Sequence, residues 1–262
     1  MSVTGQPASK PAARHAAWQT LTKVPQIGAF FWLIKILTTG MGESASDALV
    51  NGLGPAVAVP LAFIVFILML RLQFRAKHYT PALYWFTVAM VAVFGTMAAD
   101  GVHLLGVPYA ISTTLYAIAL AVVLWLWHRR EGTLSIHSVY TRRRETYYWL
   151  TVLATFALGT AAGDFTAASL NLGYLTSGIL FGAVILIPAV AHWRFKVNEV
   201  FTFWFAYIIT RPLGASFADW FGKPKPQGLG LGDSTISLIL AGIIILLVGY
   251  LQLTHEDSQS KQ

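Results

Sequence analysis

Four aspartates recur at the same interval within four similar stretches of the chain. They are Asp47, Asp100, Asp164 and Asp219. Each lies five residues after a glycine and fifteen after a tryptophan, and an aromatic residue precedes each tryptophan. Carboxylate oxygens bind protons and hard cations such as Mg²⁺ or Mn²⁺. Agreement at three positions in four copies indicates an internal repeat, so the four aspartates are expected to share one role.

Other polar residues lie near these aspartates at helical spacing. Lys35, Thr39 and Glu43 precede Asp47 at intervals of four residues, so on a helix they form one stripe. We expect Asp47, Asp100, Asp164, Asp219 and Glu43 to bind a metal ion. The residues expected to line the same site are Lys35, Thr39, Thr96, Thr160, Arg211 and Ser216.

The charges of this set indicate which ligand it binds. Five carboxylates and two cations leave a net charge of −3 if all are ionised. So negative a site in a low-dielectric setting takes up protons or binds a cation. Because protons and metal ions compete for carboxylates, the site can exchange one for the other. The aspartates have a structural interpretation too, since an aspartate at the end of a span can cap a helix or pair with a cation.

The glycine and tryptophan of the motif also allow two interpretations each. The glycines fit close helix packing or a local helix break that exposes carbonyl groups. We expect packing at Gly95 and Gly159, and a break near Gly42 and near Gly214, which follows Pro212. The tryptophans fit an interfacial belt or plain packing.

Composition shows what kind of protein must hold these residues. The 262 residues are 56% hydrophobic and only 11% charged, whereas soluble domains have about 25% charged residues. This excludes an ordinary cytosolic enzyme, a disordered regulator and a nucleic-acid binder, despite a pI near 9.7. The absence of cysteine excludes thiolate chemistry. Since no nucleophile–base pair is visible, we expect no enzymatic activity and no cofactor, and a divalent metal ion would be the substrate.

Eight segments are apolar and long enough to cross a bilayer. Their approximate positions are 26–48, 55–72, 81–102, 107–127, 145–167, 174–193, 198–220 and 234–253. The sequence therefore predicts an all-α membrane protein with eight transmembrane helices, arranged as four parallel two-helix tandem repeats. The repeats are expected at about 26–75, 80–130, 144–196 and 198–253. Residues 1–25 and 254–262 are expected to be cytoplasmic tails, the first of them flexible.

The distribution of Lys and Arg predicts the orientation. Fourteen of the eighteen fall on the side of the termini and two, Lys223 and Lys225, on the other. By the positive-inside rule both termini are cytoplasmic. A two-helix unit returns the chain to its starting side, so the repeats are parallel and their first helices can cluster around one axis.

The pattern resembles a family of bacterial integral membrane-anchored proteins of unknown function, built from four tandem two-helix repeats. The likeness rests on four stretches: Lys35–Asp47, Tyr84–Asp100, Tyr147–Asp164 and Thr210–Trp220. It covers about residues 26–253 and implies the fold, the topology and a bacterial cytoplasmic membrane. It implies no mechanism.

From the residues, the leading hypothesis is a transporter of a small cation, a divalent metal ion, exchanged for protons between the odd-numbered helices. One alternative is a cation or proton channel with the aspartates as filter. Another is a membrane scaffold or sensor that transports nothing. The expected partners are the lipid bilayer, the cation and protons, with no nucleic acid. No oligomer is predicted.

Overall fold

The computed structural model describes residues 22–254 and residue 256. Over these residues the chain is helical and contains no strand. Eight long helices follow one another, as expected. They are α1 (Ala29–Leu53), α2 (Pro55–Arg75), α3 (Pro81–Leu104), α4 (Tyr109–Glu131), α5 (Arg142–Ser169), α6 (Gly173–Phe195), α7 (Glu199–Gly222) and α8 (Asp233–Thr254). The last turn of α5 is π-helical, and α6 has a slight irregularity at Ile185.

Six of the eight helices are long and apolar enough to cross a membrane, as in a multi-pass membrane protein. They are α2, α3, α4, α5, α6 and α8. The other two, α1 and α7, contain the buried charged residues Lys35, Glu43, Arg211 and Asp219. These charges make α1 and α7 less apolar, and the fold surrounds both helices with other helices.

The odd-numbered helices form a closed ring. Helix α1 contacts α3 and α7, and α5 contacts the same two neighbours. The even-numbered helices lie outside, and each packs mainly on the first helix of the following repeat: α2 on α3, α4 on α5, α6 on α7, and α8 back on α1. The two helices of one repeat therefore do not pack mainly on each other. The outer helices expose large apolar side chains, as expected of surfaces that face lipid.

The repeated glycines are the points at which ring helices touch. A Cβ atom at Gly42, Gly159 or Gly214 would overlap the neighbouring ring helix, and one at Gly95 would be tightly packed against it. Each glycine faces the same repeat position of the next helix. The facing residues are Ala92 for Gly42, Phe156 for Gly95, Arg211 for Gly159 and Thr39 for Gly214. Small residues thus allow close backbone approach all round the ring.

The break expected near Gly42 and Gly214 is wrong. Helices α1 and α7 continue through both positions, and α7 also continues through Pro212. The neighbouring helix occupies the space beside each glycine, so close packing excludes the unwound backbone that a break would require.

One end of the ring is filled with aromatic residues. Trp85, Trp149 and Trp204 are buried and Trp32 is partly buried, which confirms the packing interpretation of the tryptophans. The hydroxyls of Tyr84 and Tyr148 are hydrogen bonded to each other there. This aromatic end is the end at which α1, α3, α5 and α7 begin, and the aspartates lie at the opposite end.

The part of the expected N-terminal tail that the structure describes is packed rather than free. Thr22 and Val24 are buried, and the Lys23 amine lies 2.7 Å from the carboxylate of the fully buried Glu145. The Lys23 backbone N–H also donates to the Val139 carbonyl at 3.2 Å. Residues 22–24, which were expected to lie in the tail, therefore pack against the helical body. Residues 1–21, 255 and 257–262 lie outside the described part of the chain.

We predict that Gly214→Ala destabilises the protein, because the added methyl group meets Thr39 and the backbone of Ile36. Overpacking of this kind costs about 1–3 kcal/mol. Thermal unfolding of the purified protein should show a clearly lower melting temperature. Gly249→Ala on α8 is the matched control, since nothing lies within 4 Å of the added atom. Equal melting temperatures for the two variants would contradict the packing role.

Candidate functional site

The centre of the ring consists of two buried layers of repeat-equivalent residues. Seven residues after each tryptophan lie Thr39, Ala92, Phe156 and Arg211, all fully buried. Four residues further along the helices lie Glu43, Thr96, Thr160 and Ala215, which are also buried. Because the helices are parallel, each layer has one residue from every repeat. The layers differ in residue type, so the chemistry of the site is asymmetric.

Arg211 connects all four ring helices. One terminal nitrogen donates to the Thr39 carbonyl at 2.9 Å. The other donates to Glu43 Oε2 at 2.7 Å, to Thr160 Oγ1 at 2.8 Å and to Thr96 Oγ1. Thr39 and Glu43 lie on α1, Thr96 on α3 and Thr160 on α5. A planar guanidinium with several fixed donors is suited to such a junction.

Because Arg211 is buried, its positive charge needs partners within the protein. Arg211 is 0% exposed, so its charge is neutralised only by protein groups. Glu43 is the ion-pair partner, and the hydroxyls of Thr96 and Thr160 accept further hydrogen bonds. A charge without such partners is costly inside a membrane protein. The threonines predicted to line the substrate site therefore bind Arg211 in this structure.

Lys35 lies apart from the carboxylates, nearer the aromatic end. Its amine lies 4.2 Å from the centre of the Phe156 ring and 4.3 Å from that of Tyr207. The side chain is 1% exposed and its nitrogen has no hydrogen-bond partner among the described residues. Lys35 was expected beside the acidic residues. Instead, the Arg211 layer separates it from them.

Three of the five predicted metal ligands come together. Glu43, Asp47 and Asp100 each place one carboxylate oxygen within 4.8 Å of those of the other two. They come from α1 and α3 and lie at the end of the ring opposite the aromatic residues. Carboxylate oxygens at these separations could hold a divalent cation after small side-chain shifts. We call this group the acidic triad.

The other two predicted ligands lie nearby but outside the acidic triad. Asp164 interacts electrostatically with Glu43 and Asp47, and Asp219 does so with the same residues. Neither belongs to the group of carboxylates close enough to share one ion. The four aspartates therefore form an acidic end of the ring rather than one four-ligand site.

Lys223 is a charged residue of the acidic end that the sequence did not indicate as part of the site. The Lys and Arg distribution places it only on the side opposite the termini, whereas the structure shows its amine hydrogen bonded to Asp47. The amine also lies 3.8 Å from Asp219 Oδ1 and 3.6 Å from Asp233 Oδ2. Burial alone lowers the pKa of this amine, but the carboxylates of Asp219 and Asp47 outweigh burial and raise the pKa above its ordinary value. The available signal was the four-residue spacing from Asp219, which places both side chains on one helix face.

Ser216 is the remaining predicted site residue, and His103 is the histidine nearest to Asp100 in the sequence. Ser216 is buried, and its hydroxyl has no hydrogen-bond partner among the described residues. A Cβ on Gly163 of α5 would lie 4.0 Å from that hydroxyl. His103 stacks on Tyr109 with 3.7 Å between the ring centres and contacts the Val107 carbonyl, and it is not a member of the acidic triad.

The repeat is also found by comparison with known families. The Repeat of Unknown Function (DUF347) matches residues 30–79, 83–133, 147–198 and 202–257. The chain belongs to this family. The four matches confirm the tandem repeats that the tryptophan, glycine and aspartate spacing predicted. No curated protein and no solved structure is significantly similar to the chain.

The four DUF347 repeats place their conserved-spacing residues at equivalent points of the ring. Every repeat places its tryptophan at the aromatic end, its glycine against the next ring helix, and its aspartate at the acidic end. The two layers, one on each side of the glycine along the helix, differ from copy to copy. The shared positions thus build the ring, and the variable positions place Arg211, Glu43 and Lys35 at single points within it.

We predict that Arg211→Met strongly destabilises the protein, because it leaves Glu43 buried without its partner. Loss of one member of a buried ion pair costs about 3–5 kcal/mol. The double variant Arg211→Met with Glu43→Leu should recover part of the loss, since no unpaired charge remains. Thermal and denaturant unfolding of the two single variants and the double variant would measure this coupling.

Arg143→Met serves as the control for this cycle. Arg143 lies 3.4 Å from Glu131 with its side chain 70% exposed, and such surface pairs contribute about 1 kcal/mol or less. Purely additive effects of the Arg211 and Glu43 substitutions would contradict the role assigned to their ion pair.

Proposed function

We propose that the protein is a membrane transporter of a small cation, a divalent metal ion that exchanges with protons at the acidic triad. The observation that supports this most directly is the approach of Glu43, Asp47 and Asp100 to within 4.8 Å at one end of a ring of helices. Carboxylates in such a setting favour a cation, and protons compete for the same oxygens. Asp164 and Asp219 add negative charge that attracts cations to this end.

The proposed route runs along the axis of the ring. It begins at the acidic end and is closed further in by Arg211 and then by the aromatic residues. Arg211 and Glu43 form the innermost ion pair. A cation that binds Glu43 has to weaken this pair, so cation binding and the arrangement of the four ring helices are coupled. This is the coupling that a carrier with alternating access requires.

We further propose that all eight helices cross the membrane as four parallel repeats, with the acidic end outside. The basic loops lie at the aromatic end, among them Arg142 and Arg144 at the start of α5. The positive-inside rule places that end in the cytoplasm, and a bacterial cytoplasmic membrane fits this orientation. The filled ring favours a carrier over a channel with an aspartate filter.

A second candidate is a membrane scaffold, and the Arg211 junction supports it. One arginine bound to all four ring helices would hold a purely structural ring together just as well. The two proposals differ in what the acidic triad does. A scaffold needs no cation at Glu43, Asp47 and Asp100, whereas a transporter does.

We predict that Mn²⁺ or Mg²⁺ raises the melting temperature of the purified protein, because a ligand that binds only the folded state stabilises it. The shift should shrink at low pH, since protons then occupy the carboxylates. Asp47→Asn and Asp100→Asn should abolish the shift. Asp164→Asn and Asp219→Asn should only reduce it, because these residues lie outside the acidic triad.

Glu199→Gln provides the control, since Glu199 is exposed at the start of α7, far along the helix from the acidic residues. Mn²⁺ uptake into vesicles containing the purified protein then separates the two candidates. Uptake by the wild type that Asp100→Asn abolishes supports a transporter. Folded variants with no ion-dependent shift and no uptake by the wild type would favour the scaffold.

A further inference from the structure

Lys223 lies among the carboxylates at the acidic end of the ring. It follows the last residue of α7, and its amine is surrounded by carboxylates from three parts of the chain. Asp47 accepts its hydrogen bond, while Asp219 and Asp233 lie 3.8 Å and 3.6 Å away. We propose that Lys223 is a tethered cation that occupies Asp47 of the acidic triad until a divalent ion displaces it. The inference rests on the cation-transport function proposed above.

Protein cations already hold two of the three triad residues. Arg211 is paired with Glu43, and Lys223 with Asp47. A metal ion must therefore compete with a positive side chain at each of these ligands. Of the three triad residues, only Asp100 has no ion pair within the described part of the chain. Binding of a cation is thus an exchange of charges rather than the filling of an empty site.

Lys223 is the partner that can leave. Arg211 is fully buried and held by three further hydrogen bonds, to Thr39, Thr96 and Thr160. The Lys223 side chain is 22% exposed, and its amine contacts only carboxylates. An unbranched lysine side chain can turn toward water without moving the backbone.

The backbone at Lys223 is fixed, so the amine stays tethered near the site. Its carbonyl accepts a hydrogen bond from Gly230 at 2.9 Å, and its N–H donates to the Asp219 carbonyl at 2.8 Å. Leu229 also donates to the Trp220 carbonyl at 2.7 Å. The loop therefore returns along the end of α7. A group on such a tether competes at an effective concentration of about millimolar or higher.

Tethering of a single positive charge favours divalent ions. A monovalent ion offers the carboxylates the same charge as the amine and lacks the tether, so it competes poorly. A divalent ion offers twice the charge to the same ligands. Lys223 thus acts as a specificity-determining residue. Mg²⁺ or Mn²⁺ can displace its amine from the carboxylates, and Na⁺ cannot.

The experiment measures Mn²⁺ and Na⁺ binding to the purified, full-length protein by calorimetry and by the change in melting temperature. Lys223→Met removes the tethered charge, and Lys223→Gln is a second neutral variant. Lys223→Arg keeps the charge. Lys225→Met is the matched control, because Lys225 is an exposed lysine of the same loop with no ion pair among the described contacts.

We expect Lys223→Met to bind Mn²⁺ at least about tenfold more tightly than the wild type and to gain measurable binding of Na⁺. Lys223→Arg and Lys225→Met should bind like the wild type. Equal Mn²⁺ affinity in the wild type and both neutral variants would overturn the role proposed for Lys223. The proposed cation-transport function would not be affected by that result. Weaker Mn²⁺ binding in the neutral variants would overturn it too.

Two other results have clear meanings. If neither the wild type nor Lys223→Met binds Mn²⁺ or Mg²⁺, the proposed function fails and this inference fails with it. If both neutral variants fail to fold while Lys223→Arg folds, the ion pair is needed for the structure. Lys223 then cannot leave the site, which overturns the proposal.

Discussion

The buried charge of Arg211 is the constraint on which the ring depends. A guanidinium that is 0% exposed needs protein partners for its donors, and it finds them on every other ring helix. Those partners fix the heights of α1, α3 and α5 relative to α7. Gly159 makes room for the arginine side chain, since a Cβ there would overlap it. Charge and packing therefore specify the same arrangement.

The repeated glycines make this arrangement cyclic. Each brings its helix close to the next, and α8 returns to pack on α1, so the fourth repeat meets the first. Because the second helix of a repeat packs on the following repeat, no repeat buries its apolar surface alone. A chain shortened by one repeat would leave the ring open. Four copies are therefore a requirement of the fold, as in other repeat architectures whose units depend on neighbours.

A nearly four-fold backbone with an asymmetric interior suits a binding site. The shared tryptophan, glycine and aspartate positions build the frame, and single residues such as Lys35, Glu43 and Arg211 occur in one repeat each. The buried charged side chains thereby follow a fixed order along the ring axis. Lys35 lies toward the aromatic end and the acidic triad toward the other, with the Arg211–Glu43 pair between them. In the proposed function, this axial order gives a cation one preferred end at which to bind.

The sequence by itself determined the helical class, the four repeats and the residue types of the site, because spacing and composition are local properties. Only the tertiary structure decided which residues meet. Equivalent positions of successive ring helices are more than fifty residues apart in the sequence. No local pattern could therefore show that Arg211 binds Glu43 or that Lys35 lies apart from the carboxylates. Lys223 looked like a loop residue, and the return of the α7–α8 loop placed it in the acidic site. From the sequence, the glycines could mark either helix breaks or helix contacts. The structure shows contacts, because a neighbouring helix fills the space beside each glycine.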